Sequence, residues 1–185
     1  MNARWRALRV GMLLACCAGA DALAYDEGAP WGAADPGAEE HCASCHWEVD
    51  PRYESTALTL ERLPEHYEPG QRYVLIVHAR GIDAAVAGFQ LIATADGQLA
   101  GEFAAEDGKN PLTAVATEGN IIRSRRTVPI SANAALWTVI WKAPTEGTCP
   151  VTFLLAVTGA NDDQSPFGDT AHYRQFSVPA MLAQD

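Results

Sequence analysis

From about Thr56 onward the chain is built of short runs in which every second residue is apolar. Turn residues separate the runs, and no long stretch carries a 3.6-residue period. This spacing constrains the fold more than any other feature. A strand sends successive side chains to opposite faces, so a period of two marks one face for burial. After "TALTLERL" and the punctuation "PEHYEPG", the run "RYVLIVHA" sets Tyr73, Leu75 and Val77 on one face. "GFQLIAT" does the same with Phe89, Leu91 and Ala93, and "LWTVIW" with Trp137, Val139 and Trp141. Asp96-Gly97 joins "GFQLIAT" to "QLAGEF" as a tight hairpin, because such turns need residues that accept positive φ. "VTFLLAV" reads as a strand buried on both faces, and "AHYRQFSV" closes the set. There is no βαβ alternation and no internal repeat. The pattern predicts an all-β, antiparallel, immunoglobulin-like β-sandwich over residues 56–185.

What precedes the sandwich differs in texture. Arg4, Arg6 and Arg9, the apolar "VGMLLACCAGA" and the small-x-small Ala22-Leu23-Ala24 read as a signal peptide over residues 1–24. The apolar run is too short to span a bilayer, so no transmembrane segment is expected after cleavage. Leu13-Leu14-Ala15-Cys16 resembles a lipoprotein cleavage box, which makes a lipid anchor at Cys16 the alternative. Residues 25–41, "YDEGAPWGAADPGAEEH", read as a flexible or loosely docked acidic arm. Residues 42–55 open with "CASCHWEV", an irregular segment with about one helical turn before Pro51.

The whole chain carries a net charge of −10, and loss of the leader takes it to about −12. Such a surface repels nucleic acid and anionic membranes and suits a basic partner. Arg123, Arg125 and Arg126 are the only basic cluster, read as a solvated strand edge. No serine–histidine–aspartate nucleophile turn and no committed carboxylate pair is present, so no catalytic residue is assigned. Trp137 and Trp141 read as core, and the acidic stretch around Asp162, Asp163 and Asp169 as a solvated loop rather than a calcium site.

Of five cysteines, Cys16 and Cys17 leave with the leader, and Cys42, Cys45 and Cys149 remain. Cys42-Ala43-Ser44-Cys45-His46 has the spacing of a covalent haem c site. Two thiols three positions apart reach the two vinyl groups on one edge of the porphyrin, and the next histidine ligates the iron. A Cys42–Cys45 disulfide or free dithiol, and a zinc knuckle, are the other readings. The thioredoxin context is missing for the first, and a second ligand pair for the other.

The strands also carry a family pattern. "LPEHYEPGQRYVLIVHARG", "GFQLIATADGQLAG", "WTVIWKAPTEGTCPVTFLLAVTGAND" and "PFGDT", in that order, resemble the reelin-type (Reeler) domain. They are similar above all to its bacterial branch, labelled choice-of-anchor V, over residues 56–178. The resemblance implies an exported β-sandwich, and bacterial relatives carry a CxxCH stretch just before it. This chain departs from the pattern in having Cys149 where the family has glycine. It also lacks the histidine that relatives place before the "W-x3-W" strand.

These readings imply one haem c on Cys42, Cys45 and His46, in a bacterial periplasmic or surface protein that exchanges electrons with a redox partner. A non-catalytic extracellular binding or adhesion module with a Cys42–Cys45 disulfide is the alternative. The iron's sixth ligand decides the chemistry. Methionine or histidine there makes an electron carrier, whereas an open position admits peroxide or gases. His78 is the favoured candidate, followed by His172, His66 and Met181, while His41 adjoins Cys42 and is poorly placed. Cys149 reads as a buried core thiol, with an intermolecular bridge or pairing to Cys42 or Cys45 as alternatives.

Overall fold

A computed structural model describes residues 28–105, 113–115, 119–146 and 149–181. The leader and its lipidation box therefore lie outside the described residues. One helical turn, α1 (Cys42–Cys45), precedes eleven strands. These are β1 (Leu58–Glu61), β2 (Arg72–Arg80), β3 (Val86–Ala95), β4 (Gln98–Leu99), β5 (Glu102–Ala105), β6 (Thr113–Val115), β7 (Ile121–Ser124), β8 (Val128–Pro129), β9 (Ala134–Lys142), β10 (Val151–Ala160) and β11 (Thr170–Val178).

All the strands pair antiparallel, in two sheets. The smaller has the order β1-β2-β9-β5. The larger runs β11-β10-β3-β7-β6, with β4 and β8 also paired to β3. The predicted all-β sandwich is the observed architecture. Its core holds the faces expected from the alternation: Leu75 and Val77 of β2, Phe89 and Leu91 of β3, and Val139 and Trp141 of β9. Trp141 is fully buried, stacked on Tyr73 at 5.8 Å and edge-on to Phe153 at 4.8 Å. Trp137 and Trp141 are core rather than a sugar platform.

One expected strand divides. "QLAGEF" begins as β4 beside β3, then crosses at Gly101 to become β5 beside β9 in the other sheet. Gly101 sits at φ +74°, and a Cβ there would lie 2.5 Å from both the Lys142 carbonyl oxygen and Trp141 Nε1. Only glycine can turn the chain this close to the core tryptophan.

The larger sheet is buried on both sides, and its second cover is the N-terminal segment. Ile92, Ile121, Ala156, Ala171 and Tyr173 face away from the main core and form a second cluster with Ala34 and Ala43. Leaving two isoleucines bare would forgo about 1.5–3 kcal/mol each, which explains why an apolar outer face acquires a lid. Residues 28–41, read from composition as an arm, hold Ala33 and Ala34 at 1 % exposure against this face. Gln90 of β3, buried, pins them: its Oε1 accepts from Ala34 N at 3.1 Å, and its Nε2 donates to the Pro30 carbonyl at 2.8 Å. Arg123 departs from its expected place on a solvated edge. It is 8 % exposed in β7, donates to the Ala29 carbonyl, and lies 3.9 Å over the Trp31 ring.

Candidate functional site

The single turn α1 is stitched at both ends. Ser44 Oγ accepts from His41 N at 3.1 Å, and Ser44 N donates back to the His41 carbonyl at 2.9 Å. His46 N donates to the Cys42 carbonyl at 3.1 Å and closes the turn. The edge strand β11 holds the turn on the sheet. Tyr173 Oη accepts from Ala43 N at 2.9 Å and meets His41 Nδ1 at 3.2 Å.

The residues after the turn are laced to the loop before β11 by three successive contacts. His46 Nδ1 lies 2.8 Å from Asp169 Oδ2, Trp47 packs edge-on to Phe167 at 5.9 Å, and Gly168 N donates to Glu48 Oε2 at 2.7 Å. Residues 52–55 then follow the free edge of β11. Arg52 N donates to the Ala171 carbonyl, Tyr173 N to the Arg52 carbonyl, and Ser55 N to the Tyr173 carbonyl. An unpaired edge strand is thereby covered.

Asp169 is 2 % exposed, and its second oxygen accepts from Asn161 N at 3.3 Å. A buried carboxylate on Nδ1 fixes the ring and leaves Nε2, which has no hydrogen bond among the described residues, as the free imidazole nitrogen. Histidines that ligate metals are usually held in this way, the carboxylate setting the tautomer and raising basicity. No short-range signal in the sequence points to Asp169. It lies in the stretch read as a solvated loop, and its partner is 123 residues away.

The two thiols differ. Cys45 is exposed. Cys42 packs against the second cluster, with its Sγ 3.4 Å from the Ala33 carbonyl oxygen, and burial pushes its pKa up. Burial also pushes the Tyr173 phenol well above its ordinary range. Three exposed aromatic rings follow the turn or face the residues after it, Trp47, Tyr53 and Phe167, the second stacked on Tyr173 at 5.5 Å.

The other expected ligands are not brought here. His78 lies on the outer face of the smaller sheet, its Nδ1 2.8 Å from Glu61 Oε1. Two sheets about 10 Å apart separate it from His46. The alternation correctly placed His78 outside the core but could not say outside which sheet. His172 points from β11 to the side opposite Ala171 and Tyr173, where its Nδ1 meets Ser55 Oγ at 2.9 Å. His66 and Met181 lie at the far end of β11, where Tyr67 N donates to the Pro179 carbonyl and Met181 N to the Tyr67 carbonyl. At about 3.3 Å per residue, β11 puts roughly 25 Å between that end and Asp169. Cys149 is at the same far end, half-buried, its Sγ 2.9 Å from Asp96 Oδ2. It is therefore neither a core thiol nor within reach of Cys42 or Cys45. Among the described residues no three His, Cys, Asp or Glu side chains are grouped to hold a bare metal ion.

The chain is similar to solved Reeler domains. The human F-spondin reeler domain is 18 % identical over 71 % of this chain and 93 % of its own, with a TM-score of 0.48. A second structure, the Reelin-N domain of F-spondin, is 19 % identical over 76 % of this chain and 97 % of its own, with a TM-score of 0.49. No protein-family model and no curated protein matches the chain. Among the described residues no helix is long and apolar enough to cross a membrane.

The residues at α1 fit a covalently held haem in part, because Cys42 is turned against the Ala33 carbonyl and the second cluster. His46 offers a carboxylate-backed ring with Nε2 free, Cys45 is open to solvent, and Cys42 is on the same turn.

Proposed function

We propose that this chain is an exported β-sandwich protein that carries one haem c at Cys42, Cys45 and His46 and exchanges electrons with a partner protein. The observation that carries this reading is the His46–Asp169 pair. A buried carboxylate 2.8 Å from Nδ1 leaves Nε2 as the ligating nitrogen, one residue after the second thiol of a CxxC turn. Bound there, the haem would supply a one-electron iron couple. Cys42 and Cys45 would hold it by thioether bonds, and His46 would ligate the iron. Asp169 keeps the imidazole oriented and electron-rich. Trp47 and Phe167, packed edge-on beside His46, would offer apolar ring surface next to it. The net negative charge of the chain favours a basic redox partner and makes the encounter sensitive to ionic strength.

A second reading, an exported binding module without haem, is favoured by Cys42. Its thiol is lodged against the Ala33 carbonyl rather than open beside Cys45. The exposed rings of Trp31, Trp47, Tyr53 and Phe167 would then be contact surface. One experiment separates the two. The full-length precursor is produced in cells with periplasmic haem-attachment machinery, and the processed protein is examined by intact mass and visible spectrum. A mass increase of one haem with sharp c-type bands supports the first reading. A colourless protein at bare mass, or two hydrogens lighter, supports the second.

A further inference from the structure

The two thiols of the CxxC turn stand in unlike places. Cys45 is exposed, whereas Cys42 is packed against the second cluster. One carbonyl takes both of its donors: the Ala33 oxygen accepts from Cys42 N at 3.2 Å and from Cys42 Sγ at 3.4 Å. On the sheet, its polar neighbours are Thr158 of β10 and Tyr173 of β11. Ala33 is 1 % exposed and belongs to the N-terminal cover, which the sheet holds by other residues. Gln90 of β3 pins it at Ala34 N and the Pro30 carbonyl, and Arg123 of β7 holds the Ala29 carbonyl and the Trp31 ring. The Cys42 thiol is therefore closed between the sheet and the cover. Helix geometry keeps it from Cys45 as well. Residues three apart on a helix have their Cβ atoms about 5–6 Å apart, whereas a disulfide needs about 3.5–4.5 Å.

We infer that residues 28–41 act as a gate on the Cys42 thiol: seated on the sheet they shut it away, and only their local release, without unfolding of the sandwich, makes it available to react. Cys45 stays available in both states, so the folded chain offers one thiol at all times and the second only on opening. The contacts that set the gate lie on β3 and β7, outside the CxxC turn itself. They are few and mostly polar, which suits a segment that opens locally while the main core stays shut. The coupling is reciprocal. A group joined to Cys42 cannot keep its sulfur against Ala33, so it weakens the seating of the cover by as much as the cover hinders its attachment. The gate belongs to the haem-free chain and stands whether or not haem is carried at the turn.

The test uses the processed chain, produced without haem-attachment machinery and fully reduced. It is treated with iodoacetamide, which alkylates a thiolate and releases iodide, and the rates at Cys42 and Cys45 are followed by mass spectrometry. In the unaltered protein Cys45 should react much faster than Cys42, and urea below the unfolding transition should leave that ratio nearly constant. Gln90→Ala should raise the Cys42 rate relative to Cys45 by about tenfold or more, the factor that loss of two buried hydrogen bonds supplies. Trp31→Ala removes an exposed ring outside the core, so it keeps the sandwich intact should Gln90→Ala fail to fold. It should shift the ratio in the same direction by less. Gly101→Ala strains the main core and leaves the cover untouched, so its ratio should stay near that of the unaltered protein. Equal rates at Cys42 and Cys45 in the unaltered protein would overturn the inference. So would a ratio that neither Gln90→Ala nor Trp31→Ala changes. A Cys42 rate that climbs with urea in step with global unfolding, and rises as much in Gly101→Ala as in Gln90→Ala, would overturn it too, by showing that the thiol is reached only through the unfolded chain.

Discussion

His46 and Asp169 are joined side chain to side chain at 2.8 Å across 123 residues of sequence, the carboxylate 2 % exposed and the imidazole 30 % exposed. This contact ties the CxxCH turn to the start of the last strand. Everything proposed for the turn depends on it.

Asp169→Ala leaves both His46 Nδ1 and Asn161 N without their acceptor. The expected loss is about 1.5–3 kcal/mol of stability, the range for hydrogen bonds to a charged group, read from urea denaturation midpoints. Asp169→Asn keeps the volume and should cost less. In the haem-loaded protein it should raise the reduction potential, because the proximal imidazole becomes a weaker donor. An unchanged potential in Asp169→Asn would mean that the carboxylate is not electronically coupled to the site.

Tyr173→Phe removes one oxygen that accepts from Ala43 N and meets His41 Nδ1. The cost to global stability should be about 1 kcal/mol, but the local effect larger. The Ala43 amide should exchange with deuterium faster by more than the change in global stability requires. Equal acceleration at Ala43 and at core amides of β10 would argue against Tyr173 as the anchor of α1.

Gln90→Ala should release the N-terminal cover. It strands Ala34 N and the Pro30 carbonyl and opens space beneath them. We expect about 2–3 kcal/mol of destabilisation and, at fixed protease concentration, earlier cleavage within residues 28–41. Retained resistance to cleavage in a folded variant would mean that apolar contact alone seats this stretch.

Gly101→Ala should be among the most damaging small substitutions. The backbone at φ +74° resists a side chain, and the added carbon would strike Trp141 and the Lys142 carbonyl. A loss of about 2–4 kcal/mol is expected, measured by thermal or urea unfolding.

Stability should fall on both sides of neutrality. Burial raises the pKa of Tyr67 and Tyr173 in the folded chain, and that of the Cys42 thiol in the haem-free protein. Each therefore contributes stability that is complete below its unfolded value, about 8.5 for a thiol and about 10 for a phenol. That contribution is lost as pH rises through the folded value. His172 is shifted the other way, by burial and then by the Arg52 charge. Its contribution is present above the unfolded imidazole value of about 6.5 and is lost as pH falls. Urea midpoints that stay flat from about pH 7.5 to about pH 10.5 would contradict the first half of this expectation.

The period-two alternation made the sandwich legible, since a strand buried on one face repeats its apolar residues every second position whatever its neighbours are. It placed Phe89, Leu91, Trp137, Val139 and Trp141 in the core, where they are. It was weakest where strands are short or cross between sheets, as at β4, β5 and β7. There the side-chain pattern is too brief to repeat, and Gly101 rather than alternation sets the path. The CxxCH spacing was equally plain as a motif, because it lies within five residues. The cover over the larger sheet was not legible, because its polar and glycine-rich composition conceals two alanines whose burial depends on Gln90 and Arg123, tens of residues away.

By itself, then, the sequence determined the fold class, the core faces of the long strands, and a thiol–thiol–histidine constellation. All of these rest on periodicity or spacing within one short stretch. Which nitrogen of His46 is free, that Asp169 stands behind it, and that His78, His172, His66 and Met181 are directed elsewhere were decided only by the tertiary structure. Those relations join residues on different strands, sheets and ends of the sandwich. Only the packing of the finished core brings such residues together or holds them apart.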